Sequence, residues 1–148
     1  MKELLNKIAV VGLGSMGKAI VSGLIKSGNF KKSDFVLSRN NTNSILAAKK
    51  AQIIILAVRP DIVPNVLTAI KPYLSEDKVL VSVAAMVKID DIKYCIGKNY
   101  PIVRVMPNIC ASVLQSMSCW VKSDEVSNSQ MNKVKFILRS LGEEIMLK

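Results

Sequence analysis

The stretch Ile8-Ala-Val-Val-Gly12-Leu-Gly14-Ser-Met-Gly17 constrains the chain more than any other. Four apolar residues run into Gly-x-Gly-x-x-Gly, and a helical pattern follows at once. Such a run reads as a buried parallel strand, a tight turn and a helix N-terminus. Gly12 then allows the turn, Gly14 lets backbone approach a diphosphate, and Gly17 lets the helix lie close on the strand. The helix dipole and its free N–H groups face the phosphates. Met16, Ala19, Ile20, Gly23 and Leu24 keep the i, i+3, i+4, i+7 spacing of a helix with one packed face. The competing reading is a glycine-rich turn in some other α/β protein. The strand before it and the helix after it favour the nucleotide reading.

The bulk numbers suit one domain, residues 1–148, with half its residues hydrophobic and room for a substantial core. No apolar run reaches the ~18 residues of a membrane span. Met1-Lys-Glu-Leu-Leu-Asn-Lys7 has neither the apolar core nor the cleavage site of a signal peptide. A cytoplasmic protein that avoids membranes is the simplest expectation. The three cysteines, Cys95, Cys110 and Cys119, are widely spaced and include no Cys-x-x-Cys, so neither a disulfide framework nor a metal site is indicated. Histidine is absent, which excludes hydrolysis through a Ser-His or Cys-His pair. The formal charge of +10 raises nucleic-acid binding as a question. The lysines are scattered, and no aromatic residues interleave with them as base-stacking platforms. Solvated surface lysine is the better account, and nucleic acid is not an expected partner. A positive field still attracts a phosphorylated cofactor or an anionic acid.

The rest of the chain alternates strand and helix. The first helix stops near Ser27-Gly28-Asn29, and residues 31–33 form a surface loop. Residues 34–38 read as the second strand. A site that prefers NAD usually carries an acid just beyond it, to hold the ribose 2′-hydroxyl. Here the sequence is Ser38-Arg39-Asn40-Asn41-Thr42. With no acid, and an arginine able to pair with a 2′-phosphate, NADP(H) is favoured and NAD(H) is still admitted. The alternative is a polar loop whose arginine points to solvent. The β-branched run 53–58 is the third strand, ended by Arg59-Pro60. Only residues 39–52 separate it from the second. They can hold one helix, from a cap at Thr42 to Lys50, but not a further strand and return. Residues 61–74 are helical by pattern, 79–82 a strand, 89–96 a short helix and 102–105 a strand. Residues 116–121 form a strand around Trp120. Ser127-x-x-Gln130 reads as a capping box for a helix that Gly142 stops, and 144–147 read as a last strand. This order gives a doubly wound, mainly parallel α/β sheet with helices on both faces, shortened between its second and third strands. Ligands in such sheets lie at the carboxyl ends of strands. The site candidates are therefore Gly12–Gly17, Ser38–Asn40, Arg59–Pro60, Ala84–Met86 and Met106–Asn108.

Four of these pieces in order carry a resemblance: Val11-Gly-Leu-Gly-Ser-Met-Gly17, Leu56-Ala-Val-Arg-Pro60, Val81-Ser-Val-Ala-Ala85 and Arg104-Val-Met-Pro-Asn108. Together they resemble pyrroline-5-carboxylate reductase, from Ile8 to Gly142. The resemblance implies a Rossmann-like domain and NAD(P)H-dependent reduction of 1-pyrroline-5-carboxylate to L-proline. By position, Val11, Gly12, Leu13, Gly14, Ser15, Met16 and Gly17 would cover the pyrophosphate, with Ser38, Arg39 and Asn40 at the adenosine ribose. Ala57, Val58, Arg59 and Pro60 would line the cofactor. Ala84 and Ala85 would border the nicotinamide, and Met106, Pro107 and Asn108 would close that end. No catalytic residue is named, because a cyclic iminium is already electrophilic and positioning of the hydride donor supplies most of the catalysis.

The chain departs from the family at Met86, Leu114 and Ser116, where glycine is usual, at Arg59 for lysine and at Ile109-Cys110 for Thr-Pro. If the backbone at 86 needs φ > 0, methionine strains it and crowds the nicotinamide. Family members also continue past Gly142 into a helical dimerisation domain that shapes the substrate pocket. The chain is therefore expected to supply a cofactor-binding half, completed by a separate helical chain or a longer product, or as an oligomer. Its absence would leave an apolar surface, with Phe136 the candidate. The alternatives are an NADP(H)-binding remnant without turnover, and another imine or hydroxy-acid reductase of the same superfamily.

Overall fold

Every second residue of the central strands is apolar on each side, so both faces of the sheet demand cover. The computed structural model describes residues 7–148; residues 1–6 of the segment read for a targeting signal lie outside them. Seven strands and five helices follow in order: β1 (Lys7–Val11), α1 (Ser15–Lys26), β2 (Phe35–Ser38), α2 (Asn41–Lys50), β3 (Ala51–Leu56), α3 (Val63–Ile70), β4 (Val79–Ser82), α4 (Ile89–Ile96), β5 (Ile102–Met106), β6 (Ser116–Lys122), α5 (Asn128–Arg139) and β7 (Gly142–Met146). They make one sheet in the order β2-β1-β3-β4-β5-β6-β7. β1 to β5 are mutually parallel, β6 is antiparallel to β5, and β7 runs parallel to β6. This is the doubly wound, Rossmann-like arrangement expected, and it ends at β2 on the shortened side.

Strand periodicity sorts the core into two layers. Ile8, Val10, Ile53, Ile55, Val81 and Val103 pack with residues of α1 and α5 on one face, where Trp120 is fully buried. Ala9, Val11, Ile54, Leu56, Leu80 and Ile102 pack with α2, α3 and α4 on the other. No helix among the described residues is long and apolar enough to cross a membrane.

The short crossover works because α2 runs directly into β3. Buried Lys78 donates from Nζ to Ala48 O in the last turn of α2 and to Ala51 O at the start of β3, at 2.7 Å each, so the junction is satisfied without a loop.

Several boundaries differ from expectation, each for a local reason. β2 begins at Phe35 because residues 32–34 form a 3₁₀ turn, whose Asp34 carboxylate accepts from Lys31 N at 2.8 Å. Asn40, not Thr42, caps α2: its Oδ1 accepts from Asn43 N at 2.9 Å. β3 ends at Leu56, where Ala57 N closes the ladder with β1 by donating to Val11 O at 2.7 Å. The helix read over 61–74 is confined to 63–70. Ile62 N bonds Arg59 O in a turn before it, and Lys71-Pro72-Tyr73 tighten into a 3₁₀ turn after it. The Ser127–Gln130 capping box forms in both directions, at 2.9 and 3.2 Å. Phe136 is not the exposed apolar residue expected. Its ring packs on Phe30 at 5.7 Å, joined by Phe35.

Gly142 is not merely a helix stop but opens β7. Its φ is +146°, and a β-carbon there would lie 2.2 Å from Ser116 O. Gly142→Ala is expected to lower stability by about 2–3 kcal/mol, measured as a reduced urea midpoint at unchanged m.

Candidate functional site

Parallel pairing from β1 to β5 brings five carboxyl ends to one edge. β1 lies between β2 and β3, so the connections leave it in opposite directions and open a crevice there. The glycine turn sits in that crevice. Gly12 has φ +100°, and a β-carbon on it would lie 2.4 Å from Ala57 O, the residue that follows β3. Its N–H donates to Ser38 O at the end of β2, at 3.0 Å. Gly12 thus stitches three strand ends together. Gly17 is equally tight: a β-carbon would fall 2.0 Å from Gly12 O.

Gly14 is the contrast. It caps α1 with extended backbone, it is exposed, and nothing lies within 4 Å of where its β-carbon would be. The first turn of α1 carries no acidic residue, and its leading N–H groups have no intrahelical acceptor. Two glycines are closed by packing, while the third faces open space beside a helix N-terminus. That geometry is suited to an anion.

Beside the turn, a pocket of about 70 Å³ is lined by Val11, Gly12, Arg39, Asn41, Ser44 and Val58 among others. Arg39 is exposed at its rim. Ser38 behaves differently from expectation. It is fully buried, its hydroxyl donates to Asn40 O at 3.0 Å and lies 2.8 Å from Ser44 Oγ. The alternation of β2 turns this side chain inward beneath α2, so it shapes the pocket floor and offers no free hydroxyl to a phosphate. The Asn40 Oδ1 is likewise engaged as the α2 cap. Asn41, Ser44, Ile62 and Val66 line the pocket without having been singled out. Placing the α2 cap at Asn40 would have found the first two.

Further along the edge, Arg59 is ion-paired to Asp61 at 3.0 Å, both well exposed, next to exposed Pro60. Ala84 is buried and Ala85 exposed. Met106, the last residue of β5, is exposed, and Pro107 is half-buried. Asn108 Oδ1 accepts from Cys110 N at 3.1 Å and caps the 3₁₀ segment Ile109–Val113. Met86 and Leu114 have φ of +62° and +63°, the only non-glycine residues with positive φ among those described. Both are positions where the resemblance expects glycine, so the strain inferred for Met86 is present. Its side chain is 88% exposed. Ser116, the third such position, is buried against Gly142.

A larger cavity, about 470 Å³, opens at the opposite edge between Glu76, Asp77, Glu125 and Lys133. The titrating groups with shifted pKa gather around it. Burial, then the Asp77 charge, pushes the Tyr100 hydroxyl up, and Tyr100 donates to Ser75 O at 2.8 Å. A hydrogen bond from Ser75 holds Asp77 low. These contacts fix loops at the amino ends of β4 and β5. A wall of carboxylates repels phosphate, so volume is the wrong guide here and strand polarity the right one. Among the described residues no group of three or more potential metal ligands comes together.

Residues 7–86, more than half of the chain, match the family described as NADP oxidoreductase coenzyme F420-dependent. The chain belongs to that family. The chain is also 35% identical to pyrroline-5-carboxylate reductase of Escherichia coli, over 93% of its own length and 57% of the relative's. It is 31% identical to pyrroline-5-carboxylate reductase 1 of Dictyostelium discoideum, over 99% of its length and 31% of that protein. Among solved structures, it matches a Plasmodium falciparum pyrroline carboxylate reductase with NADP bound. The TM-score is 0.89 at 31% identity, covering 97% of this chain and 58% of the other. The chain thus spans between about a third and three fifths of these relatives.

Left-handed backbone costs a side-chain-bearing residue about 1–2 kcal/mol, and glycine returns part of that as chain entropy. Met86→Gly, which removes almost no buried contact, is expected to raise stability by about 0.5–1 kcal/mol, read as a higher urea midpoint.

Proposed function

We propose that this chain is the NADPH-binding part of a pyrroline-5-carboxylate reductase of proline biosynthesis. The observation that carries the reading is the open space over Gly14, held between two close-packed glycines at the point where the strand order reverses. The leading N–H groups of α1 hold the diphosphate there. Arg39 takes the adenosine 2′-phosphate, in a pocket where no acid follows β2 to select NAD. Ala57, Val58 and Pro60 line the cofactor. Ala84, Ala85 and Met106–Asn108 border the nicotinamide end. NADPH supplies the hydride that reduces the imine carbon of 1-pyrroline-5-carboxylate. The chain's residues fix the approach of donor and acceptor and do no acid–base chemistry that the sequence assigns.

The rest of the substrate pocket comes from polypeptide that the longer relatives carry, in the same product or in a separate chain. A cytoplasmic setting accords with three free cysteines. A second reading, binding without turnover, rests on Met86: a strained methionine stands beside Ala85, at the nicotinamide end. Fluorescence titration with NADPH, followed by NADPH oxidation in the presence of pyrroline-5-carboxylate, separates the two. Binding, with turnover once the polypeptide that completes the substrate pocket is supplied, supports the reductase, and binding with no turnover even then supports the second reading. No binding at millimolar NADPH removes both.

Two variants sharpen the test. Gly14→Val is expected to abolish NADPH binding while shifting stability by less than about 1 kcal/mol, since a β-carbon there finds no protein atom within 4 Å. Arg39→Asp is expected to weaken NADPH by about 1–3 kcal/mol and NADH by less. Equal losses for the two cofactors would show that Arg39 does not read the phosphate.

A further inference from the structure

Helix α1 meets foreign backbone twice. The first contact is near its start, at Gly17 against Gly12 O. The second lies further along, at buried Gly23, where a β-carbon would fall 2.1 Å from Ala111 O and 2.8 Å from Leu141 Cδ2. A carbonyl that close leaves no room for a methyl group, and packed backbone yields less readily than the end of a flexible side chain. Ala111 is itself fully buried at the middle of the 3₁₀ segment Ile109–Val113, along which α1 packs. Earlier on α1, Ile20 lines the same small apolar pocket as Pro107. The flank of one helix therefore supports the whole stretch from Pro107 to Val113.

That stretch is short of rigidity of its own, since 3₁₀ turns have poor hydrogen-bond geometry. Asn108 starts it: Oδ1 accepts from Cys110 N at 3.1 Å, and the Asn108 carbonyl accepts from Ala111 N at 3.1 Å. At its far end Leu114 N donates to Ala111 O at 3.2 Å and Gln115 N to Cys110 O at 3.0 Å, which closes a turn with Leu114 at φ +63°. Ala111 thus ties together the Asn108 cap before it, the left-handed Leu114 after it and the helix beneath it. The carbonyl that rests on Gly23 is the one that holds the strained turn.

We propose that Gly23 is a positioning residue for the cofactor: by admitting the Ala111 carbonyl against α1, it sets where Pro107 and Asn108 stand at the nicotinamide end. It acts through Ala111 and not by touching the cofactor. One rigid helix then fixes two parts of one site, its N-terminus at the diphosphate and its flank under the segment that closes the other end. A small displacement of such a supporting segment loosens the site without unfolding the sheet. The inference rests on the cofactor reading proposed above and extends it to a glycine outside the Gly12–Gly17 turn.

Two ligands separate this role from plain packing: NADPH, and 2′-phospho-ADP-ribose, which carries every part of NADPH except the nicotinamide. Gly23→Ala is expected to weaken NADPH at least about tenfold while the fragment stays within about twofold, and the emission of bound NADPH should move toward that of the free cofactor. Ala111→Gly adds no atom and loosens the same segment from the other side. It should show the same split, with NADPH weakened about threefold to tenfold, and it decides the matter if Gly23→Ala does not fold. If the folded variants lose both ligands equally, or lose neither, the inference is overturned and the cofactor reading stands. Absence of NADPH binding by the unaltered chain overturns the cofactor reading and this inference with it.

Discussion

The structure depends on backbone touching backbone where α1 crosses the end of β1. Gly17 lies so close to Gly12 O that a single methyl group would separate helix from turn. Gly12 in turn leans on Ala57 and bonds to Ser38 O. Three strand ends and one helix start are therefore locked into one junction by the absence of two side chains. That junction aims the free N–H groups of α1 at the crevice and leaves Gly14 facing outward. The core layers behind it keep it rigid, because Ile20 and Leu24 of α1 are buried against β1 and β3.

The arginine that would read a phosphate is placed by a second device. α2 has no loop before β3, so its C-terminal carbonyls would be stranded in the core without Lys78. A buried cation donating to two carbonyls fixes that end, and the Asn40 cap fixes the other. Between these anchors the Ser38–Ser44 hydroxyl pair closes the pocket floor, and Arg39 remains at its rim. The shortened crossover still shapes a pocket because its polar groups satisfy one another.

Further along the edge the chain is less settled. Two residues with side chains hold left-handed backbone, one after β4 and one before β6. The fold keeps those turns because β4, β5 and β6 determine where the chain must reverse, and the packing of the sheet outweighs about 1–2 kcal/mol of local strain at each. The same region leads into the face of β5 to β7 on which Met106, Met117 and Ile145 are exposed. Strain and open apolar surface therefore lie on the half of the sheet away from the glycine turn.

The sequence by itself determined the sheet layers, the glycine turn, the Ser127–Gln130 capping box and the order of elements. Each of these is written in local periodicity or in a conformational need that glycine alone meets. It also placed the family's glycine positions at Met86 and Leu114, although not the resulting dihedral angles. Only the tertiary structure decided that Ser38 turns inward, that Phe136 is covered by Phe30, and that Lys78 reaches the junction of α2 and β3. These outcomes depend on register and packing between segments far apart in the chain, and local pattern carries no record of which distant residue will lie opposite.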